Sequence, residues 1–241
     1  MVLECSSLSM NALLIPIKDP ANAKSRLADF LSADERRRLA SAMFEDVSRA
    51  VKAARKPDRV VIVTSYKPAL ESARALGWDV LIEENQISES ASVDWASSVL
   101  AKRGLDMVMR LPADIPLIQA EDIDALLSVD LDARAALLVP SQDGTGTNAI
   151  IRKPPTLFRS RFGPNSLNLH KTEAARVGVE CVVVNNPHVA LDIDELADLH
   201  ALVENGMVTA TVDAIIEMNV LDKMKTLLRK DKKVARRPQG R

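Results

Sequence analysis

Apolar positions along the chain follow two different periods. Runs of four to six mostly aliphatic residues recur at 12–17, 59–64, 78–82, 107–111, 135–139, 149–152 and 180–184, the length of strands. Between them the apolar positions spread to helical spacing. Leu39, Met43, Val47 and Val51 lie on one face of a helix predicted over 32–54. Ser32 followed by Glu35 has the spacing of a capping box, and Pro57-Asp58 ends the segment. Further helices are predicted over 68–76, ended by Gly77, over 90–102, ended by Gly104, and over 121–127 and 167–176. Another runs from the acidic stretch 192–194 through Leu202, with Asp192 or Asp194 as its N-cap. Strands alternating with helices imply an α/β fold, a doubly wound and mostly parallel sheet. In such a sheet the carboxyl ends of the strands open on the ligand crevice.

The stretch Met107 to Pro116, MVMRLPADIP, is the centre of this pattern. It reads as a buried strand broken by Pro112, with Asp114 delivered at its end. Three more polar clusters fall at expected strand ends. These are the basic loop with Lys18, Lys24 and Arg26, the loop Asp143-Gly-Thr-Gly-Thr147-Asn148, and the pair Asp192/Asp194. Lysine and arginine after the first strand would meet phosphate oxygens. Carboxylates after the central strand and at 192–194 would hold Mg²⁺, a hard cation that takes a few carboxylates together with phosphate and water. Together they describe nucleotidyl transfer, in which the protein positions two partners and neutralises charge. Each cluster also has a plain structural reading. Lysines can be solvated surface charges, Asp-Gly is a turn signal, and an Asp before a helix is a cap.

Composition narrows the picture without changing it. At 241 residues and 47% apolar, the chain can bury a sizeable core, built from aliphatic residues because aromatics are only 3%. A net charge of -1 gives no general case for nucleic acid or membrane. No apolar run reaches spanning length, and the start MVLECSSLSM lacks the features of a secretory signal, so a cytoplasmic location is expected. Cys5 and Cys181 make neither a metal pattern nor a disulfide framework, and Cys181 is expected in the core. His170, His188 and His200 have no metal spacing and read as surface or local structural residues.

Five stretches in order, LLIPIKDPANAKSRLADFLSADERRRLASAM, LPADIPLI, DGTGTNAI, RFGPNS and ALDIDELADL, resemble the 2-phospho-L-lactate guanylyltransferase family over about residues 10–204. The resemblance implies a glycosyltransferase-A-like nucleotidyltransferase fold. It also implies transfer of GMP from GTP to a phosphorylated three-carbon acid, with release of pyrophosphate, in coenzyme F-420 biosynthesis. The acid is 2-phospho-L-lactate, phosphoenolpyruvate or 3-phospho-D-glycerate, and the unstable product passes to a deazaflavin transferase. By the same resemblance, Asp114, Asp192 and Asp194 match metal ligands, and Thr147, Gly163 and Ser166 match the pocket for the acid. Lys18, Lys24 and Arg26 match the nucleotide loop, with Lys24 and Arg26 nearest the chemistry. Gly163 would let backbone N–H groups approach an anion, and Ser166 would add a hydroxyl at a helix start.

Two features depart from the family. Where it has a Leu-Asn-Ala-Ala-like stretch that helps hold the nucleoside, this chain has Val93-Asp94-Trp95-Ala96; Asp94 adds charge and removes a donor there. A tail also follows the nucleotidyltransferase domain of 1–206. It is an apolar helical stripe over 211–230 and a basic end, with nine Lys/Arg against two acids in 222–241. The stripe is expected to pack on the core or on a second copy, which makes a homodimer an expectation. Two alternatives remain open at this point: a nucleotidyltransferase of the same fold with another acceptor, and an inactive nucleotide-binding module.

Overall fold

A computed structural model describes residues 9–19, 24–84 and 87–221. Among the described residues seven strands form one sheet: β1 (Asn11–Pro16), β2 (Arg59–Thr64), β3 (Asp79–Ile82), β4 (Met107–Arg110), β5 (Ala135–Pro140), β6 (Thr147–Lys153) and β7 (Cys181–Val183). Their order is β3-β2-β1-β4-β6-β5-β7. Pairings are parallel except those of β6, which runs antiparallel to both β4 and β5. The order reverses between β1 and β4, the switch point at which open sheets of this kind form their crevice. The one antiparallel strand has a consequence for the site. Because β6 runs backwards, its first residue, Thr147, lies on the same edge as the carboxyl ends of β1, β4 and β5.

The helices are α1 (Ala33–Ala53), α2 (Lys67–Ala75), α3 (Glu89–Lys102), α4 (Ala120–Leu127), α5 (Ser166–Arg176), α6 (Pro187–Ala190), α7 (Leu196–Asn205) and α8 (Ala210–Glu217). They cover both faces, as the alternation along the central strand requires. Leu13 and Ile15 of β1 pack with Val47 and Val51 of α1 and Ile123 of α4. Ala12 and Leu14 point the other way, onto Val93, Ala96 and Leu100 of α3. All four β1 residues are fully buried, as expected for a strand covered on both faces. Beyond β6, Leu138 and Ile150 meet Leu167 and Ala174 of α5.

The capping box at Ser32 is present, with Glu35 answering the cap. The cap of α7 is a correction. Neither Asp192 nor Asp194 fills it; Glu195 does, in a reciprocal pair with Asp198. That leaves both earlier carboxylates free of capping. Two short elements had no sequence signal strong enough to predict them, a 3-10 turn at Ser25–Leu27 and the four-residue α6. Cys181 is half-buried at the sheet's edge rather than in the core.

The stripe expected over 211–230 begins as α8, and its remainder past Leu221 lies outside the described residues. Ala214 and Ile215 pack against Leu39 and Met43 of α1 and Leu202 of α7. Asp46 of α1, buried, accepts from the backbone N–H of Ala210 and of Thr211, each at 2.8 Å, and from the Thr211 hydroxyl at 2.6 Å. A carboxylate aimed at the first turn of a helix favours it by charge as well as by hydrogen bonds. No helix among the described residues is long and apolar enough to cross a membrane.

Candidate active site

A cleft of about 1380 Å³ opens at the carboxyl edge of the sheet. Lys18 and Lys24 line it after β1, Asp114 after β4, Ser141 after β5 and Thr147 at the start of β6. Of the remaining sequence-predicted residues, Arg26, Gly163, Ser166, Asp192 and Asp194 line the same cleft, and Asp94 does not.

Asp192 and Asp194 face it because the segment before α7 is extended. Side chains there alternate. Leu191 and Ile193 are buried against Leu199 and Leu202, which turns the two aspartates outward. A backbone bond fixes the register, with Ile193 N–H donating to the carbonyl of Asp114 at 3.1 Å. Asn148 holds the other end. Its side-chain amide donates to the carbonyls of Val189 and Ala190, at 2.9 and 2.8 Å, and to Asp192 Oδ1 at 3.0 Å. Two stretches about eighty residues apart in sequence are thereby sewn together.

Lys24 lies at the middle of the acidic group. Its ammonium donates to Asp114 Oδ2 at 2.5 Å and to Asp194 Oδ1 at 2.8 Å. Burial works against the lysine's charge, but Asp114 and then Asp194 outweigh it, and Lys24 is held above the ordinary lysine value. Burial pulls Asp114 up, and Lys24 outweighs that, so the carboxyl ends below its usual range. Asp192 has no such cation. Burial raises it, the Asn148 hydrogen bond opposes the rise, and the charges of Asp114 and Asp194 add to it. Three carboxylates thus lie near one ammonium that pairs with only two of them, and the excess negative charge suits a further cation. Among the described residues no three His, Cys, Asp or Glu side chains form a ready-made metal cage. Mg²⁺ does not need one, since it binds through one or two carboxylates and keeps its other positions for water and phosphate. The donor set therefore fits. Lys24 also has a left-handed backbone, φ 54°, uncommon for a residue with a Cβ and a conformation that tends to cluster at functional sites.

The other half of the cleft is built from two loops. In the first, Asp143 accepts from Ser141 Oγ at 2.5 Å, from Thr145 N–H at 2.9 Å and from Thr145 Oγ1 at 2.7 Å. The hydrogen bond from Ser141, followed by those from Thr145, holds this carboxyl far below its ordinary value. Asp143 is thus a turn residue that stiffens the loop. Gly146 is required by space, since a Cβ there would lie 2.6 Å from Ser141 Oγ. The second loop is Gly163-Pro164-Asn165 before α5. Gly163 has φ +121°, a conformation that disfavours any side chain, and Asn165 is left-handed at φ 58°. Leu167 N–H donates to the Thr145 carbonyl at 3.0 Å and locks the loops together. The result sets the Thr147 and Ser166 hydroxyls beside the start of an eleven-residue helix, whose dipole favours an anion.

Asp94 is elsewhere. Its carboxylate pairs with Arg152 Nη1 at 2.8 Å and accepts from Ser160 N–H, at 3.0 and 3.1 Å, and from Ser160 Oγ at 2.7 Å. Arg152 is almost fully buried. Asp94 is therefore engaged as the counter-ion of a buried guanidinium and is not among the residues that line the cleft. Arg26 reaches across the cleft mouth to Glu195 at 3.0 Å, an exposed pair. Three residues without a site role in the sequence analysis stand at the cleft or behind its wall: Asn148, Arg110 and His170. Arg110 pairs with Glu89, donates to the Asn148 carbonyl at 2.8 Å, and lies 4.3 Å over the Phe162 ring. His170 is fully buried rather than at the surface. No sequence spacing links Asn148 to Asp192 or His170 to Thr147; both pairings exist only through the sheet.

A nucleotide-sized cleft at the switch point, with cations and carboxylates on one side and hydroxyls at a helix start on the other, defines a nucleotidyltransferase class of fold. Solved structures share it. One described as a nucleotide-diphospho-sugar transferase, from Desulfovibrio desulfuricans G20, superposes with a TM-score of 0.72 at 18% identity, covering 89% of this chain and 97% of that one. A cytidylyltransferase from Leptospira borgpetersenii superposes at 0.58 with 15% identity, covering 88% and 94%. At such identities the likeness is one of fold. The family is settled by sequence. The model of the "Guanylyl transferase CofC like" family matches residues 11–237, and the chain belongs to that family. Among curated relatives, the phosphoenolpyruvate guanylyltransferase of Rubrobacter xylanophilus is 36% identical over 194 residues, covering 80% of this chain and 93% of that protein. The 2-phospho-L-lactate guanylyltransferase of Methanothermobacter thermautotrophicus is 34% identical over 193 residues, covering 80% and 84%.

Proposed function

We propose that this protein transfers GMP from GTP to the phosphate of a three-carbon acid, releasing pyrophosphate, as a step of coenzyme F-420 biosynthesis. The acid is 2-phospho-L-lactate, phosphoenolpyruvate or 3-phospho-D-glycerate. The observation that carries the reading is the single cleft shared by the carboxylate group around Lys24 and the paired loops around Thr147 and Ser166. A polyanionic nucleotide and a small anion would meet there.

In this reading Thr147, the Gly163 turn and Ser166 hold the acid, and the start of α5 favours its negative charge. Lys18 and Arg26 face the triphosphate from the loop after β1. Asp114, Asp192 and Asp194 would hold Mg²⁺, which supplies charge neutralisation on phosphate oxygens. Lys24, between Asp114 and Asp194, would reach the same oxygens and offsets the repulsion of the two carboxylates it bridges. The chemistry is a displacement at the α-phosphorus. An oxygen of the acid's phosphate forms the new bond, the bond to the bridging oxygen of pyrophosphate breaks, and the electron pair leaves with pyrophosphate. No side chain need become covalently attached, so positioning and electrostatics carry the rate. The product, a mixed phosphoric anhydride, would pass to a deazaflavin transferase.

The assignment of the two halves is tested by Ser166→Ala. The Michaelis constant for the acid is expected to rise about tenfold, the order for losing a hydrogen bond to a charged group, with that for GTP little changed. A rise for GTP with the acid's constant unmoved would assign the pocket to the other substrate.

A further inference from the structure

His170 lies one turn along α5 from Ser166 and has both ring nitrogens engaged. The backbone N–H of Arg161 donates to Nε2 at 2.8 Å, and Nδ1 meets Thr147 Oγ1 at 3.0 Å. A backbone amide can only donate, so Nε2 bears a lone pair and not a proton. Burial, then the guanidinium charges of Arg152 and Arg110, push the imidazole down to about 4, so the ring is neutral at ordinary pH. A neutral imidazole has one proton, which must then sit on Nδ1. Nδ1–H therefore donates to Thr147 Oγ1. With its oxygen already receiving a hydrogen there, the Thr147 hydroxyl turns its own hydrogen elsewhere, and Thr147 lines the cleft.

We propose that His170 is a positioning residue that sets the Thr147 hydroxyl as a hydrogen-bond donor toward the anionic group of the acid. The inference rests on the placement of Thr147 in the acid's pocket and adds the device that gives its hydroxyl a direction. With the opposite tautomer, Nδ1 would accept the hydroxyl's hydrogen and the oxygen would present only lone pairs to an anion. The surroundings hold the ring in place. Phe162 meets it edge-on, with centroids 5.0 Å apart and planes at 71°, and Arg110 lies 4.3 Å over the Phe162 ring. The same guanidinium donates to the carbonyl of Asn148, the residue after Thr147. The chain of contacts from Thr147 thus passes through His170, Phe162 and Arg110 and closes on Asn148.

The test has a spectroscopic arm and a kinetic one. In the wild-type protein with ¹⁵N-labelled histidine, the His170 ring is expected to be protonated at Nδ1 and bare at Nε2 at neutral pH. An Nε2–H tautomer or a charged ring would overturn the proposal. In kinetics, His170→Phe keeps the ring but has no nitrogen, and should raise the Michaelis constant of the acid about tenfold with that of GTP unchanged. His170→Asn can place an amide N–H where Nδ1–H stood and should recover most of that loss. In a Thr147→Val background His170→Phe should add nothing. An equal cost in that background, or an equal rise in both Michaelis constants, would make His170 merely structural and defeat the proposal. Absence of turnover with phosphoenolpyruvate, 2-phospho-L-lactate and 3-phospho-D-glycerate alike would defeat the functional reading instead, and the wild-type spectrum would still decide the tautomer.

Discussion

Replacing Asp114 by Asn is expected to lower turnover by about 100-fold or more while leaving the protein folded. Asp114 is placed by the break at Pro112 and by the bond from Ile193 N–H to its carbonyl, neither of which the substitution touches. Lys24 would keep Asp194 as its partner at 2.8 Å, so the buried ammonium would not be stranded. What disappears is one of three negative charges around the position proposed for the cation. Asp192→Asn should act in the same direction, because the Asn148 contact tolerates an amide oxygen at Asp192. The measurement is steady-state turnover across a Mg²⁺ titration, with circular dichroism as the check on folding. Near-normal turnover in Asp114→Asn at all Mg²⁺ concentrations would remove Asp114 from the metal site.

Asp94→Ala should have its effect on stability and not on the nucleotide. The substitution takes the counter-ion from Arg152, whose side chain is only 3% exposed. Removing one partner from a buried pair costs about 3 to 5 kcal/mol, and the lower end applies here. Asp94 itself is partly exposed, and Arg152 keeps the Ser97 hydroxyl at 2.9 Å and the Phe158 carbonyl. Ser160 loses its acceptor as well. Denaturant unfolding would show a lower midpoint, while the folded fraction retains its Michaelis constant for GTP. A raised constant for GTP with an unchanged midpoint would restore Asp94 to the nucleoside contact suggested by its place in the sequence.

The contrast between these two aspartates shows what a sequence can disclose. Asp114 was legible because its neighbours dictate its position. A buried apolar strand, a proline and an acid can hardly be arranged without placing the carboxylate at the sheet's edge. Asp192 and Asp194 were legible as a pair because Leu191 and Ile193 alternate with them, although the cap of α7 went to Glu195 instead. The surroundings of Asp94 are not legible in the sequence. The residue sits mid-helix, and only the tertiary approach of β6 and the segment near Ser160 shows that it answers a buried arginine. Period-two and period-3.6 patterns gave most of the elements because burial enforces them. The reversal of β6 has no signal in its own apolar pattern, since a strand buried on both faces looks alike in either direction; its signal is the short Asp143-Gly144 loop after β5, too brief for a parallel crossover. The 3-10 turn that presents Lys24 and the short α6 that presents its carbonyls to Asn148 are too brief to have a period. The sequence around His170 is silent for a related reason: nothing in its neighbours along the chain reveals Thr147 and Arg161 at its two nitrogens.

The central claim is that one cleft joins GMP to a phosphorylated three-carbon acid. The most direct measurement is the mass of the product formed from GTP, Mg²⁺ and each of the three acids in turn, trapped by a deazaflavin transferase and followed together with pyrophosphate. The account predicts acid-dependent pyrophosphate release and a deazaflavin product carrying the phosphorylated acid unit, formed with at least one of the three. Pyrophosphate release that is indifferent to the acid, or no product with any of them while the protein is folded, would contradict it.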